Sequence, residues 1–288
     1  MRAIVERVCS EPPISEVNAE LSIDLSNDLA CALRLADIAD KVTMSYFDRS
    51  DLVVKTKTDA SHVTEADLAT ERAIRDHLQS ERPQDGILGE EYGRSGSSSR
   101  QWVIDPVDGT ANFLRGVPMW ATLIALVIDD VPRVGVVSQP AIGRRWWAAT
   151  GLGSWTATDT APRKLSVSSV GDLAEASVSF QSVTQWVDAG HAEQLLRLCD
   201  AVWRDRGYGD AWPYMLLAEG RLEMVAEFGV KEYDIAAHVP IITEAGGRFT
   251  SVTGKQTLTD GSALATNGAL HEAFLDVLRP ASKAETLT

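Results

Sequence analysis

Between Gln101 and Ala149 the chain presents a succession of apolar runs, and that succession limits the fold more than any other feature. Runs at 101–104, 121–128, 133–138 and 145–149 are separated by turn-forming residues, a spacing that predicts a buried sheet in the middle of the chain. Helical periodicity flanks it on both sides. Upstream, Leu29, Ala32, Leu33, Ala36 and Ala39 predict a helix over 26–47 with Ser26 as its cap. Residues 51–57 read as a short strand, and Thr64 opens a second helix to about residue 79, with Ile74 and Leu78 one turn apart. Downstream, helical patterns at 191–200, 212–219 and 234–245 alternate with short strands near Ala176, Glu223 and Ala263. The Gly- and Ser-rich piece at 93–99 is expected to be a flexible loop. The whole predicts an α/β (α+β) layered fold.

A chain of 288 residues with 44% hydrophobic and 24% charged residues can bury a large core. Its length suggests a loose extension at 1–20 and two packed halves, 21–150 and 151–288. Acidic side chains outnumber basic ones 41 to 27, and a net charge of −14 repels nucleic-acid phosphates and anionic membranes, so neither is an expected partner. Cys9, Cys31 and Cys199 form no CxxC pair and read as reduced thiols of a cytoplasmic protein. The longest apolar stretch, at 117–128, stops at Asp129 and Asp130, short of the roughly 20 residues that span a bilayer. Residues 1–20 lack the continuous apolar segment of a secretory signal.

The chemistry concentrates in acids at the ends of apolar runs. Trp102, Val103 and Ile104 lead into Asp105, Pro106, Val107, Asp108, Gly109 and Thr110, which places two carboxylates three residues apart on a turn. Pro106 restricts φ and Gly109 admits close backbone approach, so this turn can offer carboxylates and the Val107 carbonyl to a hard cation, and the Gly109 and Thr110 amides to a phosphate. Ordinary roles compete: Asp108 as a helix cap, Glu90 and Glu91 as solvated acids, Asp67 in a capping box with Thr64, and Asp234 at a helix start. Pro240 within the helix that follows Asp234 predicts a kink.

Taken together, Lys57 and Asp59, then Thr64, Glu65 and Asp67, then Gly89, Glu90 and Glu91, then Asp105 through Phe113, and finally Tyr233, Asp234, Glu244, Gly246 and Gly247 resemble the inositol monophosphatase family of magnesium-dependent phosphatases. Tyr233 departs from the Trp common at that position. Arg115 through Ala121, Arg144 through Ala149, Leu165 through Ser169, and Tyr208, Gly209 and Asp210 look like the actinobacterial-type histidinol-phosphate phosphatase branch.

The resemblance implies the layered αβαβα sandwich shared with fructose-1,6-bisphosphatases. It also implies two or three Mg²⁺ ions per site, held by Glu90, Asp105, Asp108 and Asp234 with the Val107 carbonyl and Asp67, while Glu91 lies close by. Lys57 and the Gly109 and Thr110 amides would hold phosphate. Metal-activated water would attack phosphorus, with Thr110, Glu90 and Asp67 handling its proton. Glu227 matches the position that meets the alcohol part of the substrate, with Asp210, Tyr208 and Trp212 as further contacts. The implied activity is hydrolysis of the small molecule L-histidinol phosphate by a homodimer. An inositol-1-phosphate or broad sugar-phosphate phosphatase is the alternative, and a non-catalytic divalent-cation module is the alternative of another class. His62, His77, His191 and His271 read as solvated, and His238 as a supporting histidine, because Mg²⁺ prefers oxygen.

Overall fold

Successive side chains of a strand point to opposite faces, and on the Arg100–Asp108 strand each face meets its own apolar layer. Trp102 and Ile104 join Ile124, Leu126 and Val136 beneath two helices, Ile14–Tyr46 and Glu65–Glu81, which contribute Leu35, Ala39, Ile74 and Leu78. Val103, Leu123, Val137 and Trp146 face the other way, onto Met215, Ile235, Ile241 and Ile242. The computed structural model describes residues 14–49, 54–56, 62–157 and 161–279.

The larger sheet has eight strands, ordered Arg163–Lys164, Gly153–Ala157, Arg144–Ala149, Val131–Gln139, Ala121–Ile128, Arg100–Asp108, Gly86–Gly89 and Gly93–Ser95. Every neighbouring pair is antiparallel except Gly86–Gly89 with Arg100–Asp108, which is parallel. The smaller sheet is ordered Arg204–Arg206, Ser177–Ser179, Met224–Phe228, Ser262–Thr266 and Arg248–Thr250. Its outer face packs Val178, Met224, Ala226 and Leu264 against Leu195 and Leu198 of the Ala192–Ala201 helix and Phe274 and Leu278 of the His271–Leu278 helix. Its inner face adds Val225, Ala263 and Ala265 to the same core as the helices Trp212–Ala218, Glu232–Ile235 and His238–Glu244. The layers therefore run helix, sheet, helix, sheet, helix, as the family resemblance implied.

Several local expectations are corrected. The first helix begins at Ile14, so Ser26 lies inside it rather than at its cap. Gly93–Ser95 is an edge strand and not a loop, paired with Gly86–Gly89 and held from the second helix by Arg75, which donates to Ser95 Oγ and the Gly93 carbonyl. The strand read as ending at Ile104 continues to Asp108. Pro240 coincides with a break: its ring carries no N–H for a preceding carbonyl, and the expected helix is divided into Glu232–Ile235 and His238–Glu244. His271 is buried rather than solvated, between Thr250 Oγ1 at 3.1 Å and Thr266 Oγ1 at 2.9 Å, and burial lowers its pKa to about 4.

The second helix behaves as its sequence requires. Thr64 caps it, accepting from the amides of Ala66 and Asp67, while Asp67 Oδ2 accepts from the Thr64 amide at 2.8 Å. Cys31 and Cys199 are free thiols, and Cys9 lies outside the described residues. Among the described residues no helix is long and apolar enough to cross a membrane. Ile74 is fully buried between this helix and the larger sheet. Ile74→Ala is expected to cost about 2–5 kcal/mol of stability, read as a lowered urea midpoint with an unchanged slope.

Candidate active site

The site is built where strand hydrogen bonding is interrupted. Pro106 has no amide to give to the ladder, and the register between Arg100–Asp108 and Ala121–Ile128 shifts between Asp105 and Asp108. Two residues, Pro106 and Val107, oppose Thr122 alone, whose hydroxyl donates to the Pro106 carbonyl at 2.8 Å. The bulge gives Asp105 and Asp108 their separate directions at the strand end. Asp105 is 3% exposed and accepts from the Val107 amide at 3.0 Å, while Asp108 Oδ2 accepts from the Ala211 amide at 2.7 Å. Gly109 then turns the chain with φ +83°, and a Cβ there would press on the Met119 carbonyl at 3.1 Å and the Asp210 carboxylate at 3.2 Å. Thr110 begins a short helix, Thr110–Leu114, with its hydroxyl 3.1 Å from the Val107 carbonyl and 3.5 Å from Asp67 Oδ1.

Other elements bring the remaining acids to this point. Asp67 is fully buried in the first turn of the second helix, with the Thr64 hydroxyl donating to its Oδ2 at 2.5 Å. Glu90 and Glu91 follow the Gly86–Gly89 strand, and the Glu90 amide donates to the Ile104 carbonyl at 3.1 Å, directly before Asp105. Asp234 lies in the first turn of Glu232–Ile235 and accepts from the Lys231 amide at 2.7 Å. Lys57 and Asp59 lie outside the described residues.

Electrostatics identifies these acids as one group. Burial raises the Asp105 pKa well above the carboxylate range, and the charges of Glu90, Asp108, Asp234 and Asp67 raise it further. Asp108 is raised likewise, by burial and then by Asp210 and Asp234. Burial lifts Asp67 to about 6 against the opposing hydrogen bonds from Thr64. As the side chains stand, no three His, Cys, Asp or Glu groups among the described residues converge closely enough to hold an ion. Asp105, Asp108, Asp67 and Asp234 are instead each held in place by a backbone amide or hydroxyl partner. Their chemistry nevertheless fits a hard divalent cation, since the donors are all oxygen and each gains from an added positive charge.

Beside them lies a cleft of about 180 Å³ lined by Asp108, Gln181, Asp210, Tyr214, Glu227 and Asp234, among others. Glu227 is buried, accepts from the Tyr214 hydroxyl and is raised to about 8 by its burial. Asp210 has φ +52°, accepts from Asn112 Nδ2 at 2.8 Å and gives its own amide to Gln181 Oε1 at 2.7 Å. His238, which also lines the cleft, stacks on Tyr214 at 4.3 Å between ring centroids, and burial lowers its pKa to about 3, so it is a neutral support in the cleft wall. Tyr208 and Trp212 are not among the residues that line the cleft. Both pack on the central core, Trp212 edge-on to Trp146 at 6.0 Å, because the apolar rings gain more against that core than beside the acids. The sequence reading missed Glu71, Gln181 and Gln185. Glu71 and Gln181 carry no signal in local spacing, because their partners, the Glu91 and Tyr92 amides and the Asp210 amide, come from distant segments; Gln185 joins them only as a residue lining the cleft.

Comparison with known proteins follows the same lines. The model of the inositol monophosphatase family matches residues 24–283. A Mycobacterium tuberculosis protein named histidinol-phosphatase is 51% identical over 251 residues, covering 86% of this chain and 96% of the relative. One of the same name from Streptomyces coelicolor is 47% identical, covering 88% and 98%. Among solved structures, the IMPase of Thermotoga maritima superposes with a TM-score of 0.78 at 28% identity, covering 88% of this chain and 96% of its own.

The raised carboxylates set a pH dependence. Asp67 and Asp210, each at about 6, and Glu227, at about 8, keep protons in the folded chain that the unfolded chain has released. Stability of the metal-free protein is therefore expected to fall as pH rises from 6.5 to 8 and to return on acidification. Below 6.5 the trend is opposed, because the unfolded chain takes up protons on histidines that His238 and His271 hold neutral when folded. Thermal melts in chelator across that range check the sign, and saturating Mg²⁺ is expected to flatten the slope.

Proposed function

Because the chain belongs to the inositol monophosphatase family, a family of metal-dependent phosphatases, we propose that it is a Mg²⁺-dependent phosphomonoesterase that hydrolyses L-histidinol phosphate to L-histidinol and phosphate. The observation that carries the chemistry is the group of buried, mutually repelling carboxylates around Asp105, beside the Gly109–Thr110 turn. Support for histidinol phosphate comes from the two actinobacterial relatives and from a cleft whose lining offers acids to a cationic alcohol.

In this proposal Glu90, Asp105, Asp108 and Asp234, with Asp67 and the Val107 carbonyl, hold two or three ions. Bound ions would supply a lowered pKa for water and charge stabilisation for the leaving oxygen. The chain's own groups do the rest. The Gly109 and Thr110 amides at the start of the short helix receive phosphate oxygens, together with Lys57. Thr110 Oγ1, 3.5 Å from Asp67 Oδ1, relays the proton of the attacking water in concert with Glu90: it accepts that proton as its own hydroxyl proton passes to the Asp67 carboxylate. Asp210 and Glu227 receive the ammonium and ring N–H groups of the alcohol. Asn112 and the Gln181 side chain brace Asp210 for that role, as the Tyr214 hydroxyl braces Glu227. The enzyme is read as a cytoplasmic homodimer.

Phosphate release from histidinol phosphate and from inositol-1-phosphate, with and without Mg²⁺, tests the assignment. A strong Mg²⁺-dependent preference for histidinol phosphate is expected, and equal or reversed rates would favour the broad sugar-phosphate alternative. Asp105→Asn is expected to leave the fold intact and to lower turnover by about a hundredfold or more; near-normal Mg²⁺-dependent turnover in that variant rejects the ligand role. Asp210→Asn and Glu227→Gln are expected to raise KM for histidinol phosphate more than they lower kcat, as steady-state kinetics would reveal.

A further inference from the structure

The turn that carries Glu90 and Glu91 is held by a buried carboxylate to which the mechanism above gives no part. Glu71 stands four residues after Asp67 on the Glu65–Glu81 helix, so the two side chains leave the same face. It has no exposed surface. Its Oε2 accepts from the Glu91 amide at 2.7 Å, and its Oε1 from the Tyr92 amide at 3.2 Å. Arg75, one turn further on, donates from Nε to Glu71 Oε1 at 2.7 Å and uses its other nitrogens on Ser95 Oγ, at 2.9 Å, and on the Gly93 carbonyl.

The sequence accommodates this carboxylate at a specific place. A Cβ on Gly89 would fall directly on the Glu71 carboxylate, so the residue before Glu90 is glycine because Glu71 fills the space of its side chain. On the other side, the Glu90 amide is tied to the Ile104 carbonyl, one residue before Asp105. Apolar packing would suffice to hold an ordinary hairpin against a helix. A buried charge needs every partner in place, and here the partners are the amides that immediately follow Glu90. Fixing those peptide planes fixes the direction in which the Glu90 and Glu91 side chains leave the turn.

We propose that Glu71 is a positioning residue for divalent-cation loading. One helix thereby supplies both an acid of the site, Asp67, and the clamp that brings Glu90 and Glu91 to it. The inference rests on the phosphatase reading for its activity assay, while its binding assay stands apart from the identity of the substrate.

The test uses the full chain and two readouts: calorimetric titration of the metal-free protein with Mn²⁺, and the Mg²⁺ concentration giving half-maximal phosphate release from histidinol phosphate. Glu71→Gln turns an NH₂ toward one of the two amides. It is expected to weaken Mn²⁺ binding and raise the half-activating Mg²⁺ concentration by about tenfold or more, with KM at saturating Mg²⁺ changed by less than about threefold. Gly89→Ala is expected to shift both readouts in the same direction. Gly89→Ala combined with Glu71→Ala is expected to be no worse than Glu71→Ala alone, because the group that the new methyl strikes is gone.

A folded Glu71→Gln protein that binds Mn²⁺ as the unsubstituted chain does would overturn the proposal, as would additive losses in the double variant. So would a set of variants that lose fold and metal binding together, which would make Glu71 a stability element only. If the unsubstituted chain binds Mn²⁺ but releases no phosphate, the functional reading fails and the Mn²⁺ titrations still decide the role of Glu71. If it binds no Mn²⁺, both fail.

Discussion

Several carboxylates taken out of water at one place repel each other, and most of the local architecture of this protein is what holds them there regardless. Asp105 is nearly inaccessible and feels Glu90, Asp108, Asp234 and Asp67 at once. In water such a group would disperse; in a folded chain the backbone must oppose it. The opposition is visible at each acid. The Val107 amide holds Asp105, the Ala211 amide holds Asp108, the Thr64 hydroxyl and amide hold Asp67, and the Lys231 amide holds Asp234. Each of these bonds fixes where its carboxylate sits, and for Asp67 and Asp108 the bond also opposes the rise in pKa that burial imposes.

The layered architecture explains why so many segments can reach one spot. The larger sheet contributes the ends of two parallel neighbours, Gly86–Gly89 and Arg100–Asp108, which deliver Glu90 and the Asp105–Asp108 pair side by side. The second helix delivers Asp67 from one face of that sheet, and Glu232–Ile235 delivers Asp234 from the other. The smaller sheet participates through the segment before Trp212: the Ala211 amide reaches Asp108, and Asn112 reaches back to Asp210. The Asp105–Asp108 turn and the cleft beside it are therefore mechanically continuous. The strained φ of Asp210 sits at this junction, where a backbone outlier is tolerated because Asn112 and Gln181 hold it from both sides.

Much of this was legible before any coordinates. The turn from Asp105 to Thr110 has a backbone reason for each residue, and so does the Thr64–Asp67 capping box; such reasons act over a few residues and can be read from spacing. Other features were misread for equally physical reasons. The acid at position 71 is passed over altogether, because its amide partners at 91 and 92 lie 20 and 21 residues away. Residues 93–95 look like a Gly- and Ser-rich loop because nothing local announces that Arg75 will hold them as a strand. Tyr208 and Trp212 flank Asp210 in sequence, yet their rings turn to the core.

What the order of residues determined alone is the kind of chemistry: oxygen donors placed at element ends, with Pro106 and Gly109 shaping the turn and apolar runs that require a layered α/β core. Those properties depend on local backbone sterics and on the alternation of apolar side chains, which are present in the unfolded chain as preferences. Only the tertiary structure decided which acids share a field, which one accepts from the amides that follow Glu90 and which side chains face the cleft. Charge interactions and burial depend on distances between segments far apart in the chain, and those distances exist only once the sheets and helices have packed.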